Sequence, residues 1–279
     1  MSEYQYFEFQ AVDHRLTKEQ MEELRAYSTR ARITPTSFVN EYDFGNFKGN
    51  PNVWMEKYFD GYLYLANWGT RELQLALPTK LLEAKTVRRF CSTSSASARE
   101  KAGKQILTFC LEDESGGDWL EAEGYLSTLL QIRNELARGD LRALYLGWLL
   151  GAQAGEVDAA ELEPPVPPNL GALSVAQESF VEFFNLDPEL LSEAAKHSRG
   201  SARETSNRKA AASWIKSLPS LEKDEMLVRL LAGETNITMA LQARFHRLRN
   251  SMQSVSGLKP RTLGELLAAA KTHRAEHRD

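Results

Sequence analysis

The sequence predicts an α+β protein: an N-terminal mixed or antiparallel sheet with a packed helix, followed by a mostly α-helical C-terminal region. Three observations carry this. Residues 3–12, 33–44, 62–68, 71–77, 87–91 and 105–111 mostly alternate apolar and polar side chains, the period-two pattern of strands with two distinct faces. Past Gly116-Gly117 the apolar spacing lengthens to three and four, the repeat of helices. Helix-starting residues, among them Thr17, Asp187 and Thr262, stand directly ahead of the helical stretches.

Taken in order, the first strand covers residues 3–12 and turns at Asp13-His14. Thr17 and Gln20 match a capping box, and Met21, Leu24 and Tyr27 supply the apolar stripe of the helix that follows. Residues 33–44 form the second strand, with Pro35 near its start, where a missing donor is tolerated. Gly45, Gly49 and Pro51 mark a loop before a short helix over Val53–Phe59. The runs 62–68 and 71–77 flank Gly69-Thr70, the spacing of a two-residue hairpin with Gly first. Strands over 87–91 and 105–111 bracket a Ser/Ala/Lys-rich connection, 92–104, which reads as a mobile loop. Gly139 ends a helix carrying Leu126, Leu129, Leu130 and Leu136, and Asp140 caps the next, so the two form a helical hairpin. Further helices fall near 173–184, 188–197, 204–217, 220–232, 236–249 and 262–275.

One parity of the early strands is loaded with amphipathic aromatics: Tyr4, Tyr6, Tyr42, Tyr62 and Tyr64, with Trp68 continuing the last run. Phe7, Phe9, Val39, Leu63 and Leu65 hold the other parity, which is expected to receive the Met21–Leu24–Tyr27 helix. Tyrosines sharing one face want a wet edge or a partner, either a ligand or the C-terminal helices.

The expected organisation is a sheet module over 1–155, an acidic Pro-rich linker or strap over 156–169, and a helical region over 170–279. Of the 34 basic and 38 acidic residues, 16 and 8 fall in 196–279 and 18 and 30 in 1–195, so a basic tail follows an acidic body. Hydrophobic content of 42% and charged content of 26% exclude a disordered chain. The longest apolar stretch, Leu144–Ala152, is about half of a membrane span and reads as a buried helix. Two cysteines and a start without a basic, apolar leader point to a cytoplasmic, reducing setting.

No phosphate-binding glycine loop, dinucleotide fingerprint, nucleophile elbow or zincin helix occurs, and no cofactor or metal is implied. Glu41 and Asp43, two apart on a strand beside Asn40 and Tyr42, are the best carboxylate pair for acid–base or metal chemistry, with Asp13 and Asp60 as potential neighbours; solvated strand ends are the simpler reading. His273 and His277 share a helix face without a third ligand, and Cys91 and Cys110 have no histidine near in sequence. Arg244, Arg247 and Arg249 belong to the basic C-terminal helices and, with Tyr4, Tyr6, Tyr42, Tyr62, Tyr64 and Trp68, are the candidate binding residues.

The run Arg32-Ile33-Thr34-Pro35-Thr36-Ser37-Phe38-Val39-Asn40-Glu41-Tyr42, together with residues 64–71 and 141–148, resembles a family of uncharacterised bacterial proteins, some encoded beside SWIM-type zinc-finger proteins. The likeness covers roughly residues 3–195. It implies a bacterial cytoplasmic setting and no activity, and the chain lacks the Cys and His ligands of a SWIM finger. The expected function is a non-enzymatic binding or adaptor protein with a protein partner. The alternatives are a nucleic-acid-binding protein and a hydrolase or nuclease of unrecognised type.

Overall fold

The computed structural model describes residues 4–112, 122–198, 205–232, 237, 241, 244–245 and 260–276. Seven strands, β1 (Gln5–Gln10), β2 (Arg32–Thr34), β3 (Ser37–Tyr42), β4 (Gly61–Ala66), β5 (Arg71–Pro78), β6 (Ala96–Lys101) and β7 (Lys104–Leu111), form one antiparallel sheet in the order β2-β3-β1-β4-β5-β7-β6. Between them lie α1 (Lys18–Arg25), α2 (Pro51–Lys57) and α3 (Ala84–Val87). The later chain supplies α4 (Tyr125–Leu129), α5 (Gln131–Ala137), α6 (Arg142–Gln153), α7 (Val175–Phe183), α8 (Pro188–Ala195), α9 (Thr205–Ser217), α10 (Ser220–Leu231) and α11 (Leu263–Glu276). The architecture is α+β, as the periodicity predicts.

Register decides what each sheet face is made of. Phe7 lies opposite Tyr64 and Asn40, and Phe9 opposite Tyr62 and Phe38. Tyr6 lies opposite Leu65 and Glu41. Facing residues point to the same side of a sheet, so the tyrosine parity does not hold across strands. One face combines Phe7, Phe9, Phe38, Tyr62 and Ile106 and is covered by Leu24 and Met21 of α1 and Trp54 and Met55 of α2. The other combines Tyr6, Leu63, Leu65, Leu73, Leu75, Leu107 and Phe109 and is covered by α4 to α7. The expected union of Phe9 with Leu63 and Leu65 is therefore wrong: the first helix packs on Phe9, and the leucines face the C-terminal helices.

Several local readings hold. Thr17 and Gln20 form the capping box of α1, and Thr262 and Glu265 that of α11. Asp187 caps α8, with Pro188 at its first turn. Others change. Pro35 lies in the turn of a β2–β3 hairpin rather than near the start of one long strand, and α2 starts at Pro51 behind an Asn50 cap. The β4–β5 loop spans Asn67 to Thr70, with Gly69 at φ 101° donating to the Ala66 carbonyl, instead of a two-residue turn. Residues 87–91 are not a strand: α3 and the turn after it bury Val87, Phe90 and Cys91 at spacings of three and four. The sixth and outermost strand lies instead inside 92–104, where a loop is expected. Its Ala96 is fully buried, and α6 comes close because Gly147 and Gly151 face Phe109 and Thr93 with no room for a Cβ.

Residues 156–169 run against their surroundings. The Glu156 carboxylate accepts from the Ser95 amide at 2.8 Å, Val157 and Pro164 are buried, and Leu162 bridges Thr262. Arg261 donates two bonds to Glu163 and lies 3.8 Å from Glu193 of α8, while the Tyr145 hydroxyl donates to the same Glu163. This places α11 on α8, with Leu263 and Leu266 in the main core.

Two stability outcomes are expected. Phe9→Ala removes a fully buried ring that stacks on Tyr62 at 4.5 Å and should cost about 3–5 kcal/mol by equilibrium denaturation. Arg261→Ala strands the buried Glu163 carboxylate and should also cost about 3–5 kcal/mol. Arg261→Ala combined with Glu163→Gln should be distinctly milder than the two single losses added, because the uncompensated charge is gone.

Candidate functional site

The sequence-predicted aromatic residues do not assemble into a binding surface. Tyr6 is buried under the C-terminal helices and donates to Glu8 at 2.9 Å. Tyr62 is buried on the opposite face. Tyr64 donates to Gln5 at 3.1 Å, and its neighbour Phe7 meets Tyr42 edge-on. Tyr4, half-buried, donates to Glu41 at 3.4 Å, and burial with the Glu41 charge pushes its hydroxyl up to about 12. Trp68 sits in the β4–β5 loop, 42% exposed and away from the strands it was expected to extend. Both faces being covered, no row of rings is left for bases to stack on.

The carboxylates separate into two places. Glu41 is an exposed side chain 3.7 Å from Arg32, and Asp43 lies beyond the end of β3. Asp13 and Asp60 are at the opposite end of β1, so the four do not form one cluster. Asp60 is buried and accepts from the Val12 and Asp13 amides at 2.8 and 2.9 Å and from Lys104 at 3.0 Å. Burial alone would raise its pKa. The Lys104 and Arg133 charges and the two amides outweigh that and hold it below the usual range. Arg133 also donates to the Ala76 carbonyl and to Asp13, so the group fastens α5 to the sheet end with its donors and acceptors already matched.

A second polar row crosses the α2 side of β5 and β7. Gln74 donates to Glu72 at 2.6 Å and to Asn52 at 3.1 Å, and Arg99 donates to Gln74 and Thr108 at 3.0 and 3.3 Å. Glu72 lies opposite Cys110, whose thiol burial and the Glu72 charge push up to about 12. Cys91, off the sheet and buried, is likewise raised to about 12 by burial. Neither is a ready thiolate at neutral pH. Among the described residues no three His, Cys, Asp or Glu side chains group to hold a metal. The cavity between Lys18, Met21, Glu22, Arg25 and Ile33 is about 280 Å³ and opens broadly to solvent.

Among the described residues, a run of exposed large apolar side chains lies elsewhere, on α9 and α10. Pro219 separates the helices, and Leu218 before it is buried. The inner side of this arm is aromatic and charged: Trp214 meets Phe245 at 5.6 Å, and Arg244 lies over Trp214 and pairs with Glu222. The outer side of α10 carries Leu221, Leu227, Val228, Leu230 and Leu231, exposed by 81, 58, 64, 49 and 87%. Ile215 of α9 is also exposed. Helical spacing gathers Leu221, Leu227, Val228 and Leu231 into one stripe, which points at solvent while Glu222, Met226 and Arg229 are half-buried. No residue of α10 is buried. Each such side chain is worth roughly 1.5–3 kcal/mol when taken out of water, so the stripe is a large unused source of association energy.

Sequence spacing shows that α10 is amphipathic but not which way it faces, and the expected binding residues did not include it. Of the expected basic group, Arg244 is tied to Glu222 and Trp214; Arg247 and Arg249 lie outside the described residues. Among the described residues no helix is long and apolar enough to cross a membrane. No family model, no curated protein and no solved structure matches the chain.

The polar row yields a pH test. Burial raises the Glu72 carboxyl above its ordinary value, with Gln74 and Arg99 pulling the other way. A carboxyl raised in the folded state favours folding at low pH and opposes it as pH climbs through the folded value. Glu72→Gln keeps an acceptor for Gln74 and removes that opposition. It should be more stable than wild type at neutral pH by chemical denaturation, with the advantage gone below about pH 4.

Proposed function

We propose that this chain is a non-enzymatic binding protein that docks a protein partner through the outward face of α10, acting as an adaptor in a bacterial cytoplasmic complex. The observation that carries the reading is the inverted helix: four apolar side chains, Leu221, Leu227, Val228 and Leu231, are more than half exposed on a helix with no buried residue. Isolated exposed leucines are ordinary, but a stripe of them on one helix is the composition of an interface centre. The sheet supports the reading from the other side, since its faces are used for packing and its buried polar groups are largely paired within the fold.

Nucleic-acid binding draws less support. The tyrosines are dispersed over two covered faces, and Arg244 already has Glu222. A hydrolytic or nucleolytic role draws less support: among the described residues no three His, Cys, Asp or Glu side chains group to hold a metal, and the Asp60 carboxylate is already engaged by Lys104 and two backbone amides.

Leu221→Asp with Leu231→Asp tests the proposal. Both positions are more than four-fifths exposed, so thermal stability should stay within about 0.5 kcal/mol of wild type. Co-purification of the native partner should be lost. Retention of that partner by the folded variant would remove α10 as the docking face. Labelled single-stranded DNA and RNA titrated at low salt should not bind, and tight salt-sensitive binding would restore the nucleic-acid reading.

A further inference from the structure

The outward stripe of α10 is not purely apolar. Asp224 lies three residues from both Leu221 and Leu227 and four from Val228, which sets an exposed carboxylate in the middle of the stripe. Exposed Glu225 flanks it. Among the described residues no ion pair to either is seen: Lys223 donates to the Lys216 carbonyl at 3.2 Å, and Arg229 is half-buried on the inner side. The third carboxylate, Glu222, is turned inward to Arg244. The face offered to a partner is thus four apolar side chains, Leu221, Leu227, Val228 and Leu231, around a negative centre, although residues 196–279 as a whole are basic.

Taking the docking reading of α10 as its basis, we infer that the occupant is a protein helix whose own apolar stripe is interrupted near its middle by a lysine or arginine. Burying Asp224 among leucines costs desolvation energy unless a cation meets it, so the charge selects the partner rather than adding generic stickiness. The same charge disfavours the other occupants. An anionic lipid surface or a nucleic acid would meet two carboxylates where it needs cations. A second copy docked α10 to α10 would bring four exposed carboxylates into one interface with no cation from that face to pair with them.

The test is site-specific photocrosslinking in the native host, using the full chain with Val228→p-benzoylphenylalanine, followed by mapping of the crosslinked residue. The expected result is a single protein, joined at a helix that carries apolar residues at three- and four-residue spacing around a lysine or arginine. Asp224→Lys should then cut the crosslink about tenfold, and changing that partner cation to Asp should restore it. A crosslink to a second copy, or to a partner helix without a cation and indifferent to Asp224→Lys, overturns the inference while leaving α10 as a docking face. Crosslinks confined to lipid or nucleic acid, or the absence of any crosslink, overturn both.

Discussion

The central strands of the sheet have no side left for water, and the rest of the structure follows from that constraint. Antiparallel sheets commonly pack one face and wet the other. Here Tyr6 and Phe7, successive residues of β1, are both buried, on opposite faces. The chain must therefore supply two covers. The short helices α1 and α2, both lying before β4, provide one. Helices α4 to α7, together with α8 and α11, provide the other.

Buried polar groups fix where those covers sit. Arg71 of β5 donates to the Phe183 carbonyl at the end of α7, and Arg133 of α5 donates to the Ala76 carbonyl at the far end of β5. Arg261 does the same for α11 through Glu163. Such pairs add little net stability against apolar replacements, but breaking one leaves an unmatched charge, so they select one arrangement of helices over others that would bury the same area. The outward face of α10 is the contrast. Among the described residues it has no such fastening, and the exposed charges on its stripe side are the carboxylates of Asp224 and Glu225.

How much of this was legible in the sequence depends on the range of the interaction. Thr17, Asp187 and Thr262 are read correctly because a cap is decided within four residues. Strand alternation is equally local, and six of the seven strands overlap predicted runs. The shared tyrosine face fails because pairing of β1 with β3 and β4 joins residues far apart, and pairs such as Phe7–Tyr64 and Tyr6–Leu65 match odd positions with even ones. A one-residue difference in register exchanges the faces, and nothing within a strand records it. The edge strand β6 is missed because Ala96, Ser97 and Ala98 lack the branched and aromatic residues of a strand; small residues serve there because α6 lies so close. The direction of α10 is missed for a related reason: an amphipathic helix looks the same whether its stripe meets its own fold or another molecule's.

The position of α11 bears on how the protein is made. Leu263, Leu266 and Ala270 belong to the same core as Tyr6 and Leu63, so strand β1 and helix α11, more than 250 residues apart in the chain, must meet in one cluster. During synthesis the α2 side of the sheet closes early, from segments near in sequence. The side bearing Leu63, Leu65, Leu73 and Leu75 stays open while the helices that cover it are still being translated. A chain interrupted within the α9–α10 region would leave that main core without Leu263, Leu266 and Ala270 of α11.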